Sequence, residues 1–279
     1  MIAINKIAVL GPKGTFSDIA AKNLGYEILY FNTHEEVFDA INNKITDYAL
    51  VAFENQLTGT IIENLNNIIK HDLRIIKEVI LPIHHYLCVV PGAKEIKVIY
   101  SHPQGFLQCK EFLSKLKIKK VSTNSTVESF ELIKIENKPG LACIGSRLAA
   151  KLYNLKIKNE NIEDYHHNMT RFFVLSKKSI NTKEVATGNK TSIIFTVKHE
   201  PGSLVSCLQR LAKHDINLTK IDSMPIPDKP WEYLFYCELE TNDFEKLKTA
   251  LDEMEVASSF IKILGSYPVI KESDTDGNN

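Results

Sequence analysis

Short apolar runs alternate with segments whose apolar residues recur at helical spacing, and this alternation limits what the chain can fold into. Runs at 7–10, 47–53, 75–80, 86–90, 97–100, 119–121, 141–144 and 172–175 read as strands. Helical spacing fills the intervals at 35–42, 61–69, 105–116, 126–135 and 146–153, and a further helix runs through Ala20 and Ala21. Strands and helices that take turns imply an α/β architecture, with helices covering the faces of largely buried sheets.

Polar clusters fall at strand ends. Gly11-Pro12-Lys13-Gly14-Thr15-Phe16-Ser17 follows the first strand, and Glu54-Asn55-Gln56 closes the run at 47–53. Ser101-His102-Pro103-Gln104 ends the run at 97–100, and Asn168-Met169-Thr170-Arg171-Phe172 opens the one at 172–175. Open α/β sheets bind ligands in the crevice at such ends, where backbone N–H groups are free. Each cluster also has a plain alternative: a ligand-free tight turn, a helix cap at Glu54 and Asn55, a turn histidine at His102, a solvated charge at Arg171.

Lys plus Arg and Asp plus Glu both number 34, so no basic field exists for a nucleic-acid backbone, although small anions need only one or two cations. With 279 residues, 44% hydrophobic and 24% charged, two soluble domains are expected. The run 80–90 is interrupted by Pro82, His84 and His85, so no membrane span is expected; no secretory leader is apparent and a cytoplasmic protein is expected. The five cysteines, Cys88, Cys109, Cys143, Cys207 and Cys237, are scattered without metal-type pairing and read as reduced, buried thiols.

The expected organisation is a first domain at 1–180, with one lobe at 1–80 plus 165–180 and a second at 81–164, the chain crossing between them near 81–85. A polar linker at 181–190 precedes a second domain at 191–270, and 271–279 is a polar tail. The second domain orders its elements βαββαβ, a ferredoxin-like unit: strands at 191–197, 217–223, 231–239 and 257–264, helices at 203–212 and 244–254.

Together these motifs resemble prephenate dehydratase, a dehydratase domain followed by a regulatory ACT domain. The resemblance rests on Gly11 to Ser17, Glu54-Asn55 with Gly59, Pro82-Ile83-His84-His85-Tyr86-Leu87, Ser101 to Gln104 with Gln108-Cys109, Asn168 to Phe172, and Ile216-Asn217-Leu218-Thr219-Lys220-Ile221. It implies a two-lobed catalytic region like that of periplasmic binding proteins, with the strand-end clusters converging on one crevice. Prephenate would be the substrate, losing carbon dioxide and hydroxide to give phenylpyruvate. Aromatisation drives the reaction, so neither cofactor nor metal is expected.

The resemblance assigns catalysis to Thr170, Arg171 and Phe172 and substrate binding to Glu54, Asn55, Ser101 and Gln108. In this expectation Thr170 hydrogen-bonds to the departing oxygen, since a threonine hydroxyl is too weak an acid to give up its proton outright. Arg171 clamps a carboxylate; Asn55, Ser101 and Gln108 orient the substrate; Phe172 keeps water from the ring carboxylate. Phenylalanine would be the effector, held by Gly202, Ser203, Leu204, Asn217 and Leu218 in a homodimer or homotetramer.

Departures from the family pattern are Ala52 for proline, Gln56 for serine, Ser203 for alanine, and Asp222-Ser223-Met224-Pro225 where Glu-Ser-Arg-Pro is usual. Met224 lacks the hydrogen-bond donors of an arginine. Arogenate dehydratase and a non-catalytic amino-acid-sensing binding protein are the rival readings. No fused chorismate mutase domain is expected, because the chain opens on the first dehydratase strand.

Overall fold

The computed structural model describes residues 5–93, 95–177, 188–226 and 229–272. Most of the expected linker (181–187) and tail (273–279) lies outside the described residues. Two compact units emerge: the first takes residues up to 65, 79–172 and 271 onward, the second 66–78 and 173–270.

The first unit starts β1 (Lys6–Leu10), α1 (Phe16–Lys22), β2 (Glu27–Phe31), α2 (His34–Asn42), β3 (Tyr48–Asn55) and β4 (Gly59–Thr60); α3 (Ile62–Lys70) and β5 (Arg74–Pro82), next in the chain, each divide their residues between the two units. β1 lies parallel to both β2 and β3, and β4 turns back antiparallel on β3. With β11 (Met169–Ser176) the strands run β5-β11-β3-β1-β2, and β16 (Val269–Lys271) lies beyond β5. Ile7, Ala8, Val9, Ala49 and Leu50 are fully buried, as expected of parallel strands covered on both faces. β2 was not foreseen: its residues are half-buried or exposed, so neither alternation nor a solid apolar run marks it.

A second sheet takes the order β10-β6-β9-β7-β8, from β6 (Tyr86–Val89), β7 (Val98–Ser101), β8 (Lys119–Ser122), β9 (Leu141–Gly145) and β10 (Lys156–Asn159). Successive side chains go to opposite faces: Tyr86, Cys88, Leu141 and Cys143 join one core with Phe130 and Ile133, while Leu87, Val89, Ala142 and Ile144 join another with Cys109 and Leu113. Helices α4 (Pro103–Gln108), α5 (Lys110–Ser114), α6 (Thr126–Glu136) and α7 (Arg147–Tyr153) supply the covering side chains. The single helix expected at 105–116 is instead two, because the backbone leaves helical geometry at Cys109 (φ −118°, ψ 29°). It also starts earlier, since Pro103 sits in the first turn, where its missing N–H costs nothing.

The second unit holds the βαββαβ order: β12 (Lys190–Thr196), α8 (Ser203–Lys213), β13 (Asn217–Pro225), β14 (Tyr233–Glu240), α9 (Phe244–Ala257) and β15 (Phe260–Tyr267). Its strands form an antiparallel sheet ordered β13-β14-β12-β15. Ile193, Phe195, Cys237 and Leu239 meet Cys207, Leu211, Ala250 and Met254 of the two helices. The alternate residues Lys190, Ser192, Tyr236 and Glu238 are buried as well, so polar groups sit where the sheet pattern would place solvent. Lys190 Nζ lies 3.0 Å from Glu78 and 2.9 Å from Glu238, while Ser192 Oγ bonds to both Tyr236 and Tyr267 hydroxyls. Lys190 was expected to end the linker; it opens β12, drawn in by these two carboxylates.

All five cysteines are free and buried. Among the described residues no helix is long and apolar enough to cross a membrane, and no group of three or more His, Cys, Asp or Glu side chains could hold a metal ion.

Candidate active site

A cleft of about 310 Å³ opens within the first unit, and strand ends and helix starts build its wall. After β1 the chain turns through Gly14 in the left-handed region (φ +100°), a conformation glycine adopts without a Cβ clash. Gly14 N–H donates to Asp18 Oδ2 at 2.8 Å, and its carbonyl accepts from Ser146 Oγ at 2.9 Å. Thr15 then caps α1 by accepting from Asp18 N–H, which sets Thr15, Phe16 and Ser17 on the wall.

Opposite stand the starts of two more helices. His102 caps α4, its ring accepting from Gln104 N–H at 3.2 Å, and brings Gln104, Gly105 and Gln108 to the cleft. Ser125 caps α6 and accepts from Glu128 N–H, while Glu128 reaches back to Asn124 N–H, a near relative of the capping box. Asn124, Ser125 and Thr126 thereby join the lining. Three helix N-termini therefore face the same space, each with the positive end of its dipole.

The floor is the Asn55–Thr170 pair. Asn55 Nδ2 donates to Thr170 Oγ1 at 2.9 Å, to Asn168 Oδ1 at 2.8 Å and to the Met169 carbonyl at 3.2 Å; Asn55 Oδ1 accepts from Leu57 N–H. The Thr170 oxygen is thus an acceptor from the chain, which leaves its proton for another partner. Phe172, two residues on in the same strand, stands on the cleft side with Thr170, as a period of two requires.

The intervening Arg171 points elsewhere. It forms an ion pair with Glu54 and lies over the Phe53 ring, 5.7 Å from its centroid, and neither Arg171 nor Glu54 lines the cleft. Ser101 is also off the lining: it is fully buried directly beneath Gly105, where an added Cβ would sit 2.4 Å from its hydroxyl. Of the seven expected residues the cleft therefore gathers Thr170, Phe172, Asn55 and Gln108 on its surface, with Ser101 one layer below.

No lysine, arginine, aspartate or glutamate is found among the described residues lining the cleft. Burial pushes the His85 and His102 pKa values below the usual histidine value, His85 against a smaller upward pull from Gln108, which favours the neutral ring in each. A negatively charged ligand here meets hydroxyls, amides and helix starts. Sequence reading missed Asn124 to Thr126 as part of the wall, although Ser125-x-x-Glu128 is a legible helix-start signal. It noted His85 in a motif without giving it a place in the site; nothing in its immediate neighbours tells a buried ring from a solvated one.

In the second unit a hollow of about 360 Å³ lies where β12 leads into α8. Gly202 (φ +86°) caps that helix and lines the hollow with Leu204, Pro201 and Val205. Ser203 N–H is turned to the Glu200 carbonyl. Asn217 and Leu218 are on β13 opposite Glu240 and Leu239 and are not part of this lining.

Comparison with known proteins places the chain in a family. The family model for prephenate dehydratase matches residues 7–180. A bifunctional chorismate mutase/prephenate dehydratase of Aquifex aeolicus is 36% identical over 94% of this chain and 73% of its own length. A prephenate dehydratase of Methanocaldococcus jannaschii is 35% identical over 92% of this chain and 96% of its own. Among solved structures, GqqA, described as a novel type of quorum quenching acylase, superposes with a TM-score of 0.84 at 26% identity, covering 95% of this chain and 98% of that one. A prephenate dehydratase from Arthrobacter aurescens in complex with L-Phe gives 0.83 at 25% identity, covering 94% and 90%. Matched over residues 7–180 by the family model, and along nearly all of its length by relatives above 30% identity, the chain belongs to the prephenate dehydratase family.

Proposed function

We propose that the cleft converts prephenate to phenylpyruvate, with Thr170 assisting departure of the ring hydroxyl. The observation that carries this is the Asn55–Thr170 hydrogen bond: with its oxygen already accepting, the hydroxyl offers its proton to the cleft. Hydrogen bonds in series polarise one another, so the Asn55 donor strengthens the Thr170 O–H as a donor. Charge gathers on the leaving oxygen as the ring C–O bond breaks, and a donor already aimed there stabilises that state more than the ground state. The proton that completes the departing water comes from solvent or a neighbouring group, because threonine does not ionise near neutrality.

The ring carboxylate leaves as neutral carbon dioxide, and its electrons complete the aromatic ring. A wall without cations suits this step. A lysine or arginine held against that carboxylate would stabilise the charge that must disappear, whereas Phe172 and Phe16 offer it an apolar setting. Arg171, occupied by Glu54, is assigned no carboxylate in this reading. The pyruvyl carboxylate is given the start of the eleven-residue helix α6 at Ser125, where backbone N–H groups suit an anion.

The purified chain, given prephenate and separately arogenate, tests the assignment. Phenylpyruvate forming from prephenate at an enzymatic rate is the expected result. Turnover of arogenate alone would move the assignment to the transaminated substrate, and no turnover of either would sink it.

The second unit is, in this proposal, an ACT-type sensor of L-phenylalanine, and the chain works as a cytoplasmic homodimer or homotetramer. The hollow at Gly202 and Leu204 and the L-Phe complex of the Arthrobacter relative support the sensor part of this reading. Buried Met224 stands where the family pattern has arginine, so the effector would be held by backbone groups. Calorimetry with L-phenylalanine alongside sedimentation of the chain tests both points; no heat and no inhibition would remove the effector.

A further inference from the structure

His85 lies at the chain crossing between the sheets of the first unit, 3% exposed, with its ring edge-on to Phe16 at 5.6 Å. Its backbone N–H donates to Glu163 Oε2 at 2.8 Å, and its carbonyl accepts from Ile162 N–H at 2.9 Å. Glu163, itself buried, also holds His84 Nδ1 at 2.7 Å. The main chain at His85 is therefore held from the 162–163 segment. The ring Nε2 of His85 meets Gln108 Oε1 at 2.6 Å.

We propose that His85 is a positioning residue for the dehydration: protonated on Nε2, it holds the side-chain oxygen of Gln108 and so presents the Gln108 amide nitrogen to the cleft as a donor. This rests on the dehydratase reading above and adds to it a residue that acts through another.

The other polar atom of the ring decides the direction of the bond. Nδ1 is buried and has no hydrogen-bond partner among the described residues. If the Gln108 amide were reversed, its nitrogen would donate to Nε2 and the ring proton would sit on Nδ1, a buried N–H donor with nothing to accept it. Orphaned buried N–H donors are rarely tolerated, and an orphaned lone pair is the lesser defect. The arrangement with Nε2–H donating to Oε1 is therefore the stable one. It leaves Gln108, a lining residue, with its amide nitrogen free among the described residues. In a cleft walled without lysine or arginine, each oriented neutral donor carries a larger share of the substrate's charge.

Nitrogen-15 NMR of the His85 imidazole in the wild-type chain reads the tautomer directly. The expected result is a neutral ring with its proton on Nε2; a ring protonated on Nδ1 would overturn the proposal. The second measurement is a cycle on prephenate turnover with H85F, Q108L and the double variant. H85F keeps an aromatic ring against Phe16 and removes only the N–H, so kcat/KM falls about tenfold, the loss of one oriented donor. H85N, which returns an N–H near the same place, regains part of it. In the Q108L background H85F changes turnover less than twofold, because the group it positions is gone.

Losses that multiply instead would assign His85 a separate structural role and end the proposal. An inactive wild-type chain would remove the dehydratase reading together with this one, whereas active wild type with multiplicative losses removes this one alone. Should H85F fail to fold, the tautomer measurement on the unmodified chain still decides.

Discussion

Replacing Thr170 by valine removes one oxygen from the cleft and little else. Valine keeps the β-branch that suits the opening of β11, so the strand and its rotamer are conserved. The Asn55 amide that donated to Thr170 still has Asn168 Oδ1 at 2.8 Å and the Met169 carbonyl at 3.2 Å, so no buried donor is stranded. The stability cost is then that of one neutral hydrogen bond, about 1 kcal/mol, or a few degrees in Tm. The kinetic cost is larger, because the bond strengthens as charge builds on the leaving oxygen. Removing one preorganised donor of this kind costs about 3 kcal/mol, roughly a hundredfold or more in kcat. Phenylpyruvate formation at saturating and at limiting prephenate separates kcat from KM, and a thermal melt on the same preparation checks the fold. The expected pattern is a large loss in kcat, a small change in KM and a nearly unchanged Tm. A folded Thr170→Val variant within threefold of wild-type kcat would refute the role given to this hydroxyl. A loss traced wholly to unfolding would mean that the Asn55 network is structural.

Lys190→Ala leaves Glu78 and Glu238 without their shared buried cation and should destabilise the chain by about 3–5 kcal/mol, measured by urea denaturation. Gly265→Ala would set a Cβ 2.0 Å from the Ile75 carbonyl oxygen; a backbone neighbour cannot swing aside, so at least about 2 kcal/mol of stability should be lost in the same assay. Burial lowers the pKa values of His34, His85 and His102 below 6.5 in the folded chain. As pH falls through 6.5 the unfolded chain therefore takes up these protons first, and stability should decline until each folded-state pKa is reached, with most of the effect from fully buried His85 and less from the more solvent-screened His34 and His102. Melts between pH 7.5 and 5.5 check the sign; a flat or rising Tm on acidification would contradict it.

The alternation of apolar runs with helical spacing was enough to set the α/β class and the βαββαβ order, because burial on one face imposes a period that sequence displays directly. The strand-end clusters around Thr170 and Asn55 were legible because a strand's polar end is marked by where its apolar run stops, whereas Gln108, on helix α4, entered only through the family resemblance. Exposure and sidedness were not legible. Which way Arg171 turns depends on Glu54, distant in sequence, waiting on a neighbouring strand to pair with it. Lys190 looks like a linker charge until Glu78 and Glu238 arrive from separate strands to bury it. That Gln108 is held by His85, and His85 by Glu163, follows from contacts across 23 and 78 positions of chain. Local pattern reports what each residue prefers; only the folded chain decides which distant partner satisfies it.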